Sequence, residues 1–287
     1  MTDDTCTFRQ TGKVLLVDGH VHFHSCFSWE NFLNAAAANF AQARRHLQVS
    51  DNSPGCLLLT ENAGVDQYHA LLSQPEIVES LGWRIIESGE KCSVILHRGE
   101  DTLILIAGRQ IVTAENLELL AIGCRHGPVD GSPIHQALRA VSDAGAIPIL
   151  PWGFGKWLGK RARTVRELLF SHDLPRFHLG DNGGRLRMVP SPELFEQARH
   201  QGIAILPGSD PLAIPTHVRR PGSYGFVLGS WEKTFAPAEE IKRRIRSLQQ
   251  SPPTFGALSS LFDGLASQLS LRSHKLVRFG EAETIRP

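Results

Sequence analysis

Apolar residues in this chain come in short dense runs separated by longer stretches of helical periodicity. Residues 13–18, Lys-Val-Leu-Leu-Val-Asp, lack polar alternation and predict a strand buried on both faces. Ser28 can cap a helix over residues 29–47, where Phe32, Ala36, Phe40 and Ala43 recur at helical spacing. A second apolar strand over 56–60 ends in Glu61-Asn62, and a helical piece over 68–81 leads to a third strand over 83–87 and then Ser88-Gly89-Glu90. Short strands over 93–97, 102–107 and 117–123, divided by polar turns, predict an antiparallel excursion. Ser132 then caps a helix over 133–144 that Gly145 ends, and residues 146–150 form another buried strand. A strand over 176–179 runs into Gly180-Asp181-Asn182, Ser191-Pro192-Glu193 opens a helix reaching His200, and a strand over 203–206 runs into Pro207-Gly208-Ser209-Asp210. Beyond Asp210 the prolines 211, 215 and 221 predict loop, and two helices follow over 238–249 and 255–269.

Strands alternating with helices in this way predict a parallel sheet covered by helices, and polar residues gather where the strands end. An α/β barrel places its active site at those ends. With no internal repeat and no linker-like stretch, residues 1–287 are expected to form one such barrel.

Composition narrows the setting. Lys and Arg total 30 against 29 Asp and Glu, so there is no strong nucleic-acid signal and no field drawing the chain to acidic membranes. Five cysteines (Cys6, Cys26, Cys56, Cys92, Cys124), odd in number, widely spaced and mostly in apolar runs, read as buried thiols in a reducing compartment, with no disulfide framework. The polar start and the lack of an apolar run of about 18 residues argue against a signal peptide or a membrane span, and a cytoplasmic location is the expectation. Thirteen histidines against two tyrosines and two methionines lean towards metal or acid–base chemistry.

That chemistry centres on the end of the first strand, Asp18-Gly19-His20-Val21-His22-Phe23-His24. Alternate residues of an extended chain share a face, so His20, His22 and His24 can point the same way and two imidazoles can chelate one ion. The competing reading is a polar strand end without metal. Other strand ends add Glu61, Asn62, Glu87, Glu90, Asp181 and Asp210. Imidazole with carboxylate is a ligand set for zinc, manganese or iron, which lower the pKa of a bound water. Asp210 is the favoured residue both to ligate and to accept the attacking water's proton, although Gly-Ser-Asp-Pro is also ordinary turn sequence. Lys156, Lys160 and Arg161, beyond the strand over 146–150, could meet an anionic substrate or line a solvated helix face. Trp152, Phe154 and Trp157 could wall a pocket or simply pack.

In order and spacing these segments resemble the polymerase and histidinol phosphatase (PHP) domain family over most of residues 14–215. Asp18-Gly19-His20-Val21-His22 resembles its Asp-x-His-x-His motif, Thr60-Glu61-Asn62 stands at its Thr-Asp-His, Gly89-Glu90 resembles its Gly-x-Glu region, and Gly208-Ser209-Asp210 resembles its Gly-Ser-Asp-x-His. Residues 119–123 are similar to the strand after the family's hairpin, and 145–150 precede the position of its His-Pro. The resemblance implies a distorted (β/α)7 TIM-like barrel with parallel strands and outer helices, up to three metal ions and phosphoester hydrolysis. The departures are Asn62, Trp152 and Leu212 at expected histidines, of which only asparagine can ligate, and weakly. His20, His22, Glu90 and Asp210 remain to hold one divalent ion, with Glu87 competing for Glu90's place. A second ion would draw on His24, Asn62, His178, Asp181 or His217. The implied protein is a metal-dependent phosphoesterase acting on a small phosphorylated, anionic molecule held by Lys156 or Arg161, in an oligomeric state left open. The alternatives are an amidohydrolase- or TatD-like metal hydrolase and a degenerate barrel that binds without catalysis.

Overall fold

The computed structural model describes residues 13–259. Twelve strands are formed there: β1 (Val14–Val21), β2 (Gly55–Leu59), β3 (Arg84–Ile86), β4 (Ser93–Arg98), β5 (Asp101–Ile106), β6 (Gly108–Val112), β7 (Glu118–Ile122), β8 (Ile147–Pro151), β9 (His178–Asn182), β10 (Ile205–Gly208), β11 (Tyr224–Ser230) and β12 (Thr254–Gly256). The helices are α1 (Trp29–Leu47), α2 (Gln67–Ser73), α3 (Glu76–Glu79), α4 (Ile134–Asp143), α5 (Lys160–Leu169), α6 (Glu193–His200) and α7 (Pro237–Ser247). Ser28 caps α1 as its sequence predicts, accepting from the Asn31 amide. The helix predicted over 68–81 is instead two, α2 and α3, parted at Pro75, whose ring nitrogen has no proton to donate. Residues 255 and 256 of the helix predicted over 255–269 belong to strand β12, and its part beyond 259 lies outside the described residues.

The strands form two mixed sheets, not a closed barrel. One has seven strands in the order β12-β11-β1-β2-β5-β4-β3, the other five in the order β10-β9-β8-β7-β6. This corrects the TIM-like barrel that the sequence suggested. Closure would require β1 to pair with the strand before Asp210, but both edges of β1 are occupied, by β11 antiparallel and β2 parallel. β10 lies at the edge of its sheet, and among the described strands it pairs with β9. The connections from β4 to β5 and from β6 to β7 are too short for parallel crossovers, so those strands form antiparallel ladders.

Each sheet is covered on both faces, which is why its strands read as unbroken apolar runs. Leu15 and Val17 of β1 join Leu58, Ile104, Leu120, Ile149 and Leu206 in a core between the sheets, which α7 enters through Ala238, Ile241 and Ile245. Val14 and Leu16 face the other way, into the cluster beneath α1 that includes Phe32 and Phe40. A third cluster packs α4, α5 and α6 on the five-stranded sheet. The sheets meet at two seams. The Asp210 amide donates to the His20 carbonyl (2.9 Å), and Glu61 bridges Arg109. At the first seam a Cβ on Gly208 would lie 2.3 Å from the His20 nitrogen, so only glycine permits the approach.

No helix among the described residues is long and apolar enough to cross a membrane. Of the cysteines, Cys56 and Cys124 are buried, Cys92 is half-buried and Cys26 is exposed, all as free thiols; Cys6 lies outside the described residues.

Candidate metal centre

The parallel strands of both sheets deliver their C-terminal ends to the first seam. In β1 the register against β2 shifts between Asp18 and Val21, an irregularity that spans Gly19 and His20. Such breaks re-aim side chains. Here the His20 and His22 rings meet at 61°, their Nε2 atoms 3.0 Å apart. Asp210 follows β10 across the seam, and its Oδ1 lies 3.6 Å from each of those nitrogens. The point equidistant from the three ligand atoms is about 2.0 Å from each, the length of a zinc–imidazole or zinc–carboxylate bond. Among the described residues His20, His22 and Asp210 are the group that could hold a metal ion. Two imidazole nitrogens and one carboxylate oxygen fit a divalent ion of the zinc, manganese or iron kind.

The electrostatics suit lone-pair donation. Burial, then the charge on His20, pushes His22 down to about 3, so its ring is neutral near pH 7. Burial alone would raise the Asp210 carboxyl, but His20, His22, Lys156 and a hydrogen bond from Asn182 outweigh it and hold the group below its ordinary value. Asp210 has φ +43°, in the left-handed region that non-glycine residues seldom adopt. The residue before it is anchored by Asp18, buried under the seam. The Asp18 carboxylate accepts from the Ser209 amide (2.8 Å), the Ser209 hydroxyl (2.6 Å), the Gly222 amide (2.8 Å) and the His20 amide (3.3 Å). Burial nevertheless pushes the Asp18 carboxyl up to about 7. Asp18 thus ties the histidine strand to the aspartate loop.

The other residues singled out by sequence fall in different places. His24 lies beside His22, with ring centroids 5.4 Å apart, but its Nε2 is 2.8 Å from the Pro211 carbonyl. Asn62, at the end of β2, accepts from Gln110 (3.1 Å). Glu90 does not join the cluster. Its carboxylate accepts from Ser93 (2.5 Å), from the Ala238 amide and from the Glu239 amide (3.2 Å), capping the N-terminus of α7. Glu87 is exposed after β3. His178 opens β9 where the sequence had put it near the strand's end, so it sits at the far end of the sheet. Burial, then the Arg176 charge, brings it down to about 4, and it bonds the Ile245 carbonyl of α7. Asp181 is at the correct end but is occupied by Arg185, with two bonds of 2.8 Å, and by the Tyr224 hydroxyl (2.7 Å). His217 accepts from the Leu212 amide (3.0 Å), which folds the chain back after Asp210. Lys156 pairs with Glu118 and its charge reaches Asp210, whereas Arg161 donates to the Gly155 carbonyl (2.9 Å). Trp152 packs against the core beneath α4–α6.

Three residues of this site escaped the sequence reading. Gln110 of β6 abuts His22 and hydrogen-bonds Asn62 and Glu118, Glu118 of β7 holds Lys156, and Asn182 at the end of β9 donates to Asp210. The signal for Asn182 was present, since it follows Asp181 at a strand C-terminus. Gln110 and Glu118 lie on an antiparallel hairpin, where the rule of strand C-termini does not apply.

No known family profile matches the chain, and no curated protein does. Among solved structures it is similar to PsfC from Pseudomonas syringae PB-5123, with a TM-score of 0.54 at 13% identity, over 92% of this chain and 99% of that one. It also matches the lesion-specific endonuclease Q of Pyrococcus furiosus (TM-score 0.47, 11% identity, 79% of this chain and 56% of that one). A third match is an endonuclease Q complex with a 27-mer duplex substrate carrying an abasic lesion at the active site (TM-score 0.45, 13% identity, 82% and 57%). The chain therefore spans just over half the length of the endonucleases. At 13% identity the PsfC likeness is one of fold alone. Against the expectation of no strong nucleic-acid signal stands the third match, in which the neighbouring protein holds a duplex. The duplex is that protein's substrate.

Proposed function

We propose that this protein is a metal-dependent hydrolase of the PHP type that cleaves phosphoesters, the small phosphorylated molecule suggested by sequence being its first candidate substrate class. The observation that carries this reading is the His20–His22–Asp210 triangle, whose donors converge from two sheets on one point at bonding distance. A divalent ion held by these three residues supplies Lewis-acid polarisation and activates water. The carboxylate of Asp210 has one oxygen towards the histidines and the other bound to Asn182, so it can ligate and also orient the attacking water and take its proton. Lys156, whose charge reaches Asp210 and which is restrained by Glu118, offers a cation for a phosphoryl oxygen. His24, beside His22 on the same segment, would extend the site if its contact with the Pro211 carbonyl opened.

The amidohydrolase- or TatD-like alternative needs histidines at the ends of two middle strands. His178 is at the beginning of its strand and Trp152 follows β8, so neither is supplied. The test is hydrolysis of p-nitrophenyl phosphate, bis-p-nitrophenyl phosphate and an oligonucleotide with manganese, zinc or ferrous iron, comparing the wild type with Asp210→Asn. Metal-dependent turnover of an ester that falls at least about 100-fold in Asp210→Asn supports the proposal. No turnover with any of the metals, in protein that binds them, leaves the non-catalytic reading.

A further inference from the structure

At the opposite end of the seven-stranded sheet, about 20 Å along β1 from His20 at strand rise, the chain forms a second pocket. Its volume is about 250 Å³. Strand register explains its character. Arg84 pairs with His97 and His97 with Thr102, while two residues deeper Ile86 pairs with Ile95 and Ile95 with Ile104. Directly opposed residues share a face. One wall is therefore two parallel rows, an apolar one inside and a polar, cationic one at the rim. Trp231 and Lys233, just past β11, form the facing wall, with the Trp231 amide bound to the Lys13 carbonyl (2.7 Å).

Among the described residues no acidic side chain lines this pocket, and Lys13, Arg84 and Lys233 make no ion pair there. Elsewhere on the surface Arg243 and Arg244 of α7 pair with Glu240. Cations left together beside an apolar floor are the arrangement for holding an anion whose body is hydrophobic.

We infer that this pocket binds a compact amphipathic anion, a phosphate or carboxylate on an aliphatic or aromatic body. The head lies between Arg84, Lys233 and Lys13, and the body on Ile95, Ile104 and Trp231. The site is separate from the candidate metal centre, shares no residue with it, and does not depend on its function.

The test is calorimetric titration of phenyl phosphate into the full chain carrying His20→Ala/His22→Ala, with chelator present, so that the metal centre cannot contribute. Saturable one-to-one binding is expected, weakened about tenfold or more by Arg84→Gln/Lys233→Gln, with inorganic phosphate binding more weakly than phenyl phosphate. Both substitutions are of exposed side chains, and the fold of each variant is checked by its thermal unfolding. Absent or non-saturable binding, or binding that the Arg84/Lys233 variant leaves unchanged, would overturn the inference. Equal affinity for inorganic phosphate would overturn the role of the apolar row.

Discussion

Two buried histidines with similar burial have different work, and acid separates them. His22 faces Asp210 across the seam, whereas His178 is at the far end of β9, its Nδ1 buried without a hydrogen-bond partner among the described residues. Folding lowers both, His22 to about 3 and His178 to about 4 from an ordinary 6.5, so the unfolded chain takes up their protons first. Their stabilisation is complete above about pH 6.5 and is lost as pH falls towards those values. The lowered Asp210 carboxyl acts in the same direction. Asp18 opposes them. Raised from 3.8 to about 7, it stabilises when protonated, and that contribution is lost as pH rises through 7. Metal-free protein should therefore resist denaturant best at about pH 6–7, by urea midpoints across pH 4–9. In His178→Leu the acid-side loss should shrink while metal content stays at the wild-type level. A His178→Leu protein stripped of metal would return His178 to the ligands that its sequence position first suggested.

At the scale of elements, most of the strand and helix inventory was legible, and so were the histidines of β1. The continuous apolar run of β1 reports burial on both faces, and His20 and His22 follow it at spacing two. The reading failed where an element's ends or neighbours depend on distant chain. Moving the β9 boundary by two residues carries His178 from one end of a sheet to the other. β6 was missed because Ala107-Gly108 reads as a break, and Gln110 went with it. Glu90 has the right residue type at the right place in the order, but it is a cap: its carboxylate satisfies amides at the start of α7, which no local pattern announces. Glu90→Ala should lower stability by about 1–2 kcal/mol, by urea denaturation, with metal binding unchanged. The seam is less forgiving. Gly208→Ala would push a methyl against the His20 backbone and should lower both the unfolding midpoint and the metal content. Metal retained in full by Gly208→Ala would mean that the two sheets can part without disturbing the site.

For the whole molecule, one strand decides the architecture. β11 comes after three prolines in a stretch to which the sequence assigned no strand, yet it takes the edge of β1 that a barrel would give to β10. The two sheets therefore meet through the Asp210–His20 contact, with Asp18 binding both sides, and the candidate ligands straddle that meeting. An ion there would cross-link the sheets as well as serve chemistry, so metal should raise the thermal midpoint of the wild type and leave His20→Ala/His22→Ala unmoved. The most direct measurement is metal per chain by mass spectrometry, on protein purified without chelator or nickel affinity and then offered manganese, zinc and iron. The account predicts about one ion per wild-type chain and near none in His20→Ala/His22→Ala. A wild type that takes up no metal, or a double variant that keeps it, would contradict the account.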